Sequence, residues 1–543
     1  MSSTRRWILI LACCSTVIAL FMQVPQVLRM INPAWQGIPV HLNSDESLYL
    51  ARVEQALIGD GAEQVAEGFT GDPEIVGLQS GLIERAYGVL FGWTGWRAAT
   101  VLQIMDSVVP VLVFLGLWWF FLLAGFTRLQ ALFAALLFVG INAYGFNRPI
   151  NQRASFLCGL LTMIAVLQGL RGRWVWSLIG GVLMGLLVGV YFWTWTFVWA
   201  WFGFLFLWML MERYVLHQQS PVRWRWFILI GVVSVLAALP FFLQIYGWTL
   251  HPLYEVARFR SGLYYNRMVE SIPYSIVFLL MVTGVLGASI RNPVLMRRHA
   301  PILAAVLAMF AVTHQQLLHG MTFLFVSHYI FFLVFAAMGA FVLSLTFRSR
   351  WLLFSLLGSS VYLAAITYDG RAILKLFHVR SSDFTEQHLV TLLPALDDLP
   401  RSVILSDPDA SQFISGFTKH DILYSIYLKN SIMTHEDIAW RLCLSLAPLP
   451  GENRFIRDRI HLVYPDPSGL LKDPIIRLRE EELVLQACQE VDSNPAYWLR
   501  RYHVRYVFWD EERQPLWDLR RLHTSLDLVA QGERWSLWKV KEQ

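Results

Sequence analysis

Two adjacent carboxylates, Asp45 and Glu46, open the stretch Asn43-Ser44-Asp45-Glu46-Ser47-Leu48-Tyr49-Leu50-Ala51-Arg52. Read as a helix, it stacks Asp45 and Tyr49 at i and i+4 and sets Arg52 at i+3 from Tyr49. An acid, a phenol and a guanidinium then share one face. A positioned carboxylate can take the proton of a hydroxyl nucleophile, and a cation can hold a departing phosphate. The plainer reading is a helix start: Asn43, three positions before Glu46, caps it, and both acids favour its positive end.

Cations suited to phosphate lie further along. Residues 254–267, Tyr-Glu-Val-Ala-Arg-Phe-Arg-Ser-Gly-Leu-Tyr-Tyr-Asn-Arg, combine Arg258, Arg260 and Arg267 with Tyr264 and Tyr265. Arginine binds phosphate through two parallel hydrogen bonds, and tyrosine suits a membrane interface. An ordinary amphipathic interfacial helix carries the same residues. Further polar groups are Asp106, Asn147, Arg148, Asn151, Arg153, His314, Gln315, Gln316, His319 and His328. Ionisable groups at membrane depth are functional suspects, although each alone also fits a snorkelling helix end.

The elements that must position these groups are membrane helices. The 543 residues are 56% hydrophobic and 15% charged, with 23 Trp and 36 Phe, an apolar share beyond that of soluble domains. A span needs about 20 apolar residues. Eleven such runs are expected, at 7–24, 104–126, 129–145, 154–170, 174–190, 194–211, 227–247, 273–290, 301–318, 329–346 and 350–367. Arg5, Arg6, Arg128, Arg171, Arg173, Arg213, Arg223, Arg225, Arg291, Arg297, Arg298, Arg348 and Arg350 fall in connections on one side, with Glu212 their single acid. The positive-inside rule makes that side cytoplasmic. The 25–97 loop, the 146–153, 191–193 and 248–272 connections, the 314–328 segment and everything after 368 are then external. The first run is read as an anchor, because no small-residue cleavage site follows it before Pro25.

Composition changes again near residue 368: no Lys precedes Lys375, and long apolar runs stop. The expected organisation is a transmembrane domain over 1–367 and a soluble extracytoplasmic α/β domain over 368–543. In the latter, 401–408 reads as a strand and turn, Ala410 to Thr418 as helix, 503–509 as a strand, and 526–531 with 534–540 as a terminal hairpin around Gly532. Cys13, Cys14 and Cys158 fall in expected spans as packing residues, whereas Cys443 and Cys488 share the external domain, where an oxidising compartment permits a bridge. The net charge of +5 is mostly cytoplasmic arginine and carries no nucleic-acid message.

No internal repeat, heptad, glycine-rich phosphate loop, CxxC or HExxH pattern occurs. The Ser-Asp-Glu-x-x-Tyr-x-x-Arg setting of the first external loop resembles the GT-C superfamily of integral-membrane glycosyltransferases, which use polyprenyl-phosphate-linked sugars. Asn147-Arg148-Pro149-Ile150-Asn151, Tyr191-Phe192-Trp193-Thr194-Trp195-Thr196, His314-Gln315-Gln316-Leu317-Leu318-His319-Gly320 and His328-Tyr329 look like segments recurring in bacterial members. The plan of many spans followed by an external α/β domain is similar too. The resemblance implies Asp45 as catalytic base with Glu46 as neighbour or substitute, and donor phosphate met by Arg258, Arg260 and Arg267. Tyr49, Arg52, Asp106, Arg153, Tyr264, Tyr265 and His328 complete the candidate substrate-binding set. The Trp-Trp-Asp signature of asparagine-modifying oligosaccharyltransferases is absent, and the 146–153 connection offers no acid to complete a metal site. No cofactor is therefore expected, and a divalent cation lacks support.

The function expected from the resemblance is inverting transfer of a sugar from a polyprenyl-phosphate donor to a lipid, polysaccharide or protein acceptor. It would take place among membrane lipids on the outer side of a bacterial cytoplasmic membrane. Two rivals are a flippase for a lipid-linked precursor, expected to carry midplane polar groups and inverted repeats, and a non-catalytic subunit of an envelope-glycan assembly.

Overall fold

The computed structural model describes residues 3–42, 46–59, 69–72, 75–215, 224–261, 263–269, 271–323, 326–347, 349–369, 374, 376–451, 456–464 and 470–541. Asp45 lies outside the described residues. Every apolar run expected to span is helical. Among the described residues, eight helices are long and apolar enough to cross a membrane: Thr4–Met30, Ala98–Leu123, Gln152–Leu170, Phe192–Tyr214, Trp224–Thr249, Ile272–Arg291, Ala300–His319 and Ser327–Thr346. The other three, Arg128–Ile141, Trp174–Gly189 and Leu352–Thr367, are shorter. The 14 residues of Arg128–Ile141 rise about 21 Å, less than a hydrocarbon core of about 30 Å. The chain is a polytopic helical membrane protein, and eight of the eleven expected runs have spanning length among the described residues.

Its residues form two compact units. One comprises Met1–Leu28, Gln103–Tyr246 and Tyr265–Val379; the other comprises Arg29–Leu102, Gly247–Tyr264 and Arg380–Gln543. The stretch after the first long helix thus belongs to the same unit as the C-terminal residues.

The first unit is a helical bundle. Water cannot drive helices together inside lipid, so close side-chain fit must do so. Aromatic rings supply it: Phe120 and Phe335 lie 4.9 Å apart, Phe156 and Phe332 4.9 Å, and Phe197 and Phe332 4.5 Å. Local chemistry sets the helix ends. Thr127 and Gln130 form a capping box before Arg128–Ile141, and Ser271 caps Ile272–Arg291 with proline in its first turn. Gly320 ends Gln316–His319 at φ +80°, a left-handed conformation that costs glycine nothing.

The second unit holds a five-stranded sheet in the order Asp421–Ile422, Val403–Leu405, Val504–Asp510, Trp535–Val540, Leu526–Gln531. The first three strands are parallel, and the last two join antiparallel with Asp510 opposite Trp535 and Asp527 opposite Lys539. The expected terminal hairpin is present. So is the helix after the first strand, Pro408–Phe417, which Asp407 caps ahead of a proline at its first position. Its core includes Leu405, Leu423, Ile438, Leu442, Val484 and Val507. Cys443 and Cys488 form a disulfide across 4.9 Å between Cα atoms, tying His435–Ser445 to Pro474–Ser493. Cys13, Cys14 and Cys158 are free thiols.

Candidate functional site

In the second unit the acid motif continues into the helix Glu46–Leu57, whose residues Ser47 to Gln55 are all buried. Glu46 begins it, and its Oε2 accepts the backbone N–H of Leu42 in a very short contact. Tyr49 is fully enclosed. Arg52 turns inward: its Nε meets Glu84 Oε1 at 2.7 Å with both side chains 1% exposed, and it donates to Gln79 Oε1 and the Ser80 carbonyl. The expected shared face is thereby altered, because Arg52 is engaged by buried protein groups.

Two residues on, Glu54 anchors this helix to the start of the membrane helix Ala98–Leu123. Its Oε2 accepts the Ala98 backbone N–H at 2.7 Å and its Oε1 the Arg97 Nη1 at 2.8 Å, while Arg97 Nη2 reaches Asp397 at 2.6 Å. Burial raises the Glu54 carboxyl above its usual range, against the opposing pull of the Ala98 amide and of Arg97. Nothing in the spacing of Glu54, Glu84 and Arg97 announces these pairs, since contacts between separate helices leave no local pattern.

Arg258 and Arg260, the expected phosphate cations of the same unit, are also engaged. Arg258 donates to Glu255 and, at 2.9 Å, to the Leu263 carbonyl. Arg260 is buried and donates to the carbonyls of Lys429 and Ser431 at 2.6 Å each and of Met433 at 3.2 Å. Burial lowers its pKa to about 10. The Tyr264 side chain lies outside the described residues, and Tyr265 is exposed. The same unit has a groove of about 300 Å³ between the disulfide-linked helices, lined by Glu436, Trp440, Arg479, Glu482, Leu483 and Glu490.

The first unit gathers a different set. Asp106 and Arg153 form a very short buried ion pair, and Arg153 Nη1 also donates to the Phe146 carbonyl at 3.2 Å. Arg153 Nε and Nη2 are buried without a hydrogen-bond partner. Arg153 belongs to a π-helical turn, Pro149–Ala154, a local widening often found at functional sites. His328 Nδ1 makes a very short contact with the Tyr191 hydroxyl and lies against the Trp193 ring, 4.7 Å between centroids. Tyr329 bonds Thr196 at 2.7 Å and Gln315 at 3.1 Å, and His314 Nε2 meets Ser275 at 2.8 Å. Arg267 is exposed. The structure therefore joins Asp106 to Arg153 and His328 to Tyr191.

No protein-family model matches the chain, and no curated protein is significantly similar to it. The reading of its chemistry rests on its own residues.

Proposed function

We propose that this protein is an inverting glycosyltransferase of the GT-C type, moving a sugar from a polyprenyl-phosphate-linked donor to an acceptor hydroxyl on the extracytoplasmic side of a bacterial cytoplasmic membrane. The observation that carries the reading is the bond from Glu54 to Ala98. It ties the helix that follows Asp45 to the first residue of a membrane helix. Eight residues separate Glu46 from Glu54, about 12 Å of helix. On this reading the start of that helix, at Glu46, lies near the lipid head groups, where a lipid-linked donor presents its phosphate.

In the proposed reaction the acceptor oxygen attacks the anomeric carbon opposite the phosphate and its proton passes to Asp45. The new carbon–oxygen bond forms as the bond to phosphate breaks, and polyprenyl phosphate leaves with the electron pair. Asp45 is preferred to Glu46 because the Glu46 carboxylate already accepts a backbone amide. Among the basic candidates Arg153, in the first unit, keeps two nitrogens without hydrogen bonds while Arg258 and Arg260 are engaged, which makes Arg153 the candidate for binding a lipid phosphate. The disulfide supports the outward assignment of the second unit, because such bonds persist in oxidising compartments.

The test is transfer from a panel of radiolabelled polyprenyl-phosphate sugars by purified protein in lipid nanodiscs. Asp45→Asn is expected to cut transfer by about 10² to 10⁴, the range for a lost general base, with an unchanged gel-filtration profile. Wild-type rates in Asp45→Asn would overturn the assignment of the base, and inactivity of wild-type protein with every donor would overturn the reading itself.

A further inference from the structure

The helix Leu82–Phe91 and the turn Gly92–Thr94 carry an apolar face that is exposed among the described residues. Ile83, Glu84 and Tyr87 point inward, with Glu84 paired to Arg52. Gly88 makes this approach close: a Cβ there would stand 2.5 Å from the Ala56 carbonyl oxygen, so no side chain fits between the two helices. On the opposite side Ala86, Val89, Leu90 and Trp93 recur at i, i+3, i+4 and i+7, all exposed. Val89 is 81% and Trp93 83% exposed, and Trp96 continues the patch at 45%. A periodic apolar stripe turned away from its own core marks an interaction surface.

Chain connectivity identifies the occupant. Ala98 begins the 26-residue membrane helix, and extended chain reaches at most about 3.5 Å per residue. Trp93 is therefore within about 17 Å, and Trp96 within about 7 Å, of that helix's first residue. The Glu54 bond to the Ala98 amide adds a second tie through the packed partner helix. The same unit exposes Ile31 and Leu250 immediately after the membrane helices that end at Met30 and Thr249. Tryptophan and long aliphatic side chains at span ends are the usual composition of the head-group boundary.

We infer that the Ala86-Val89-Leu90-Trp93 stripe is an interfacial anchor, lying in the boundary between head groups and acyl chains and holding the Glu46–Leu57 helix at the membrane surface. Such helices bury their apolar face about 5–10 Å below the head groups. The inference concerns where the helix lies and does not rest on the transfer reaction.

The test uses the full chain with Cys13, Cys14 and Cys158 replaced by Ser and the Cys443–Cys488 bridge kept. Single cysteines are introduced as Val89→Cys, Leu90→Cys and Trp93→Cys, with Asp527→Cys on the terminal hairpin as an aqueous reference. Each is spin-labelled and reconstituted in phosphatidylcholine and phosphatidylglycerol vesicles, and collision with oxygen is compared with collision with a water-soluble nickel chelate. Oxygen is expected to dominate at 89, 90 and 93, and the chelate at 527. Chelate dominance at the three stripe positions would overturn the anchor, as would shielding from both reagents, which would mean that a protein surface covers the stripe. If Trp93→Cys fails to fold, Leu90→Cys in a Trp93→Phe background reads the same depth. Sugar transfer enters none of these readouts, so the anchor and the proposed enzyme activity can fail separately.

Discussion

Arg52 in the second unit and Arg153 in the first are both almost completely enclosed, yet their surroundings differ. Arg52 meets a carboxylate, a side-chain amide oxygen and a backbone carbonyl. Arg153 meets Asp106 and one carbonyl through a single nitrogen, leaving two others without hydrogen bonds. A buried charge costs several kcal/mol unless its partners are well placed. A guanidinium whose three nitrogens all face protein oxygens, as those of Arg52 do even though its Nε meets Glu84 as an ion pair without hydrogen-bond geometry, reads as structure. An undersupplied one at the end of a candidate membrane helix reads as a group held ready for a ligand. The contrast reverses the first impression from sequence, in which Arg52 stood beside the acid pair and Arg153 lay in a short connection.

The largest expected effect comes from breaking the pair of Arg52 and Glu84. Glu84→Leu leaves Arg52 buried without its carboxylate and should destabilise the fold by about 3–5 kcal/mol. Combining it with Arg52→Met should recover most of that loss, because hydrophobic replacement of a whole buried pair is often neutral. Thermal unfolding in detergent measures the stabilities, and the transfer assay then separates the roles. The double variant at 52 and 84 should keep its activity, whereas Arg153→Met with Asp106→Leu should fold and lose it. Loss of transfer in the first double variant, with its fold intact, would make Arg52 a substrate residue and undo the comparison.

How much of this was legible depends on the range of the interaction. Periodicity and turn chemistry act over a few residues, so the apolar helices, the strand at Val504–Asp510 and the hairpin around Gly532 could all be read directly. Spanning length holds for eight of the eleven runs among the described residues, because apolar runs continue through turns: the 129–145 run includes the helix end at Asn142, leaving a helix of 14 residues. Partner choice was not legible. Glu84 and Arg52 lie on separate helices, and Arg260 is held by three backbone carbonyls around residue 431 that no side-chain pattern could announce. The stripe at 86, 89, 90 and 93 has a helical period but lies inside what reads as an external loop, and it was missed. Its outward direction was not legible either, because that depends on Gly88 and Glu84 facing the neighbouring helix.

A covalent link separates the units next. The bridge between Cys443 and Cys488 closes 45 positions of the second unit, while Cys13, Cys14 and Cys158 are free. In the chain-entropy account a loop of this size is worth about 2–4 kcal/mol. Cys443→Ser with Cys488→Ser, or reductant on the native chain, should lower the unfolding midpoint accordingly. Cys158→Ala should leave the response to reductant unchanged. A midpoint that ignores both reduction and the double serine variant would show that the helix pair needs no cross-link.

The smallest expected effect tests whether an unsatisfied buried charge behaves alike in the second unit. Asp407 caps Pro408–Phe417 through Oδ1, which accepts the Asp409 and Ala410 amides at 3.1 and 3.2 Å, while Oδ2 is buried without a hydrogen bond. Burial pushes this carboxyl up to about 6, against the pull of the Ala410 amide and the Arg513 charge. A raised folded-state pKa means that the folded protein takes up the proton more readily than the unfolded chain between about pH 4 and 6. The stabilising contribution is present below that window and is lost as pH rises through it. A shift of roughly two pH units corresponds to on the order of 2 kcal/mol. Asp407→Asn keeps an oxygen for the cap and removes the titration, so its unfolding midpoint should change less between pH 4 and 7 and exceed wild type at neutral pH. An arginine has no such outlet, because guanidinium stays protonated in proteins. If Asp407→Asn retains the wild-type pH profile, an unbonded buried atom is no guide to electrostatic strain in this fold, and the inference drawn from Arg153 weakens with it.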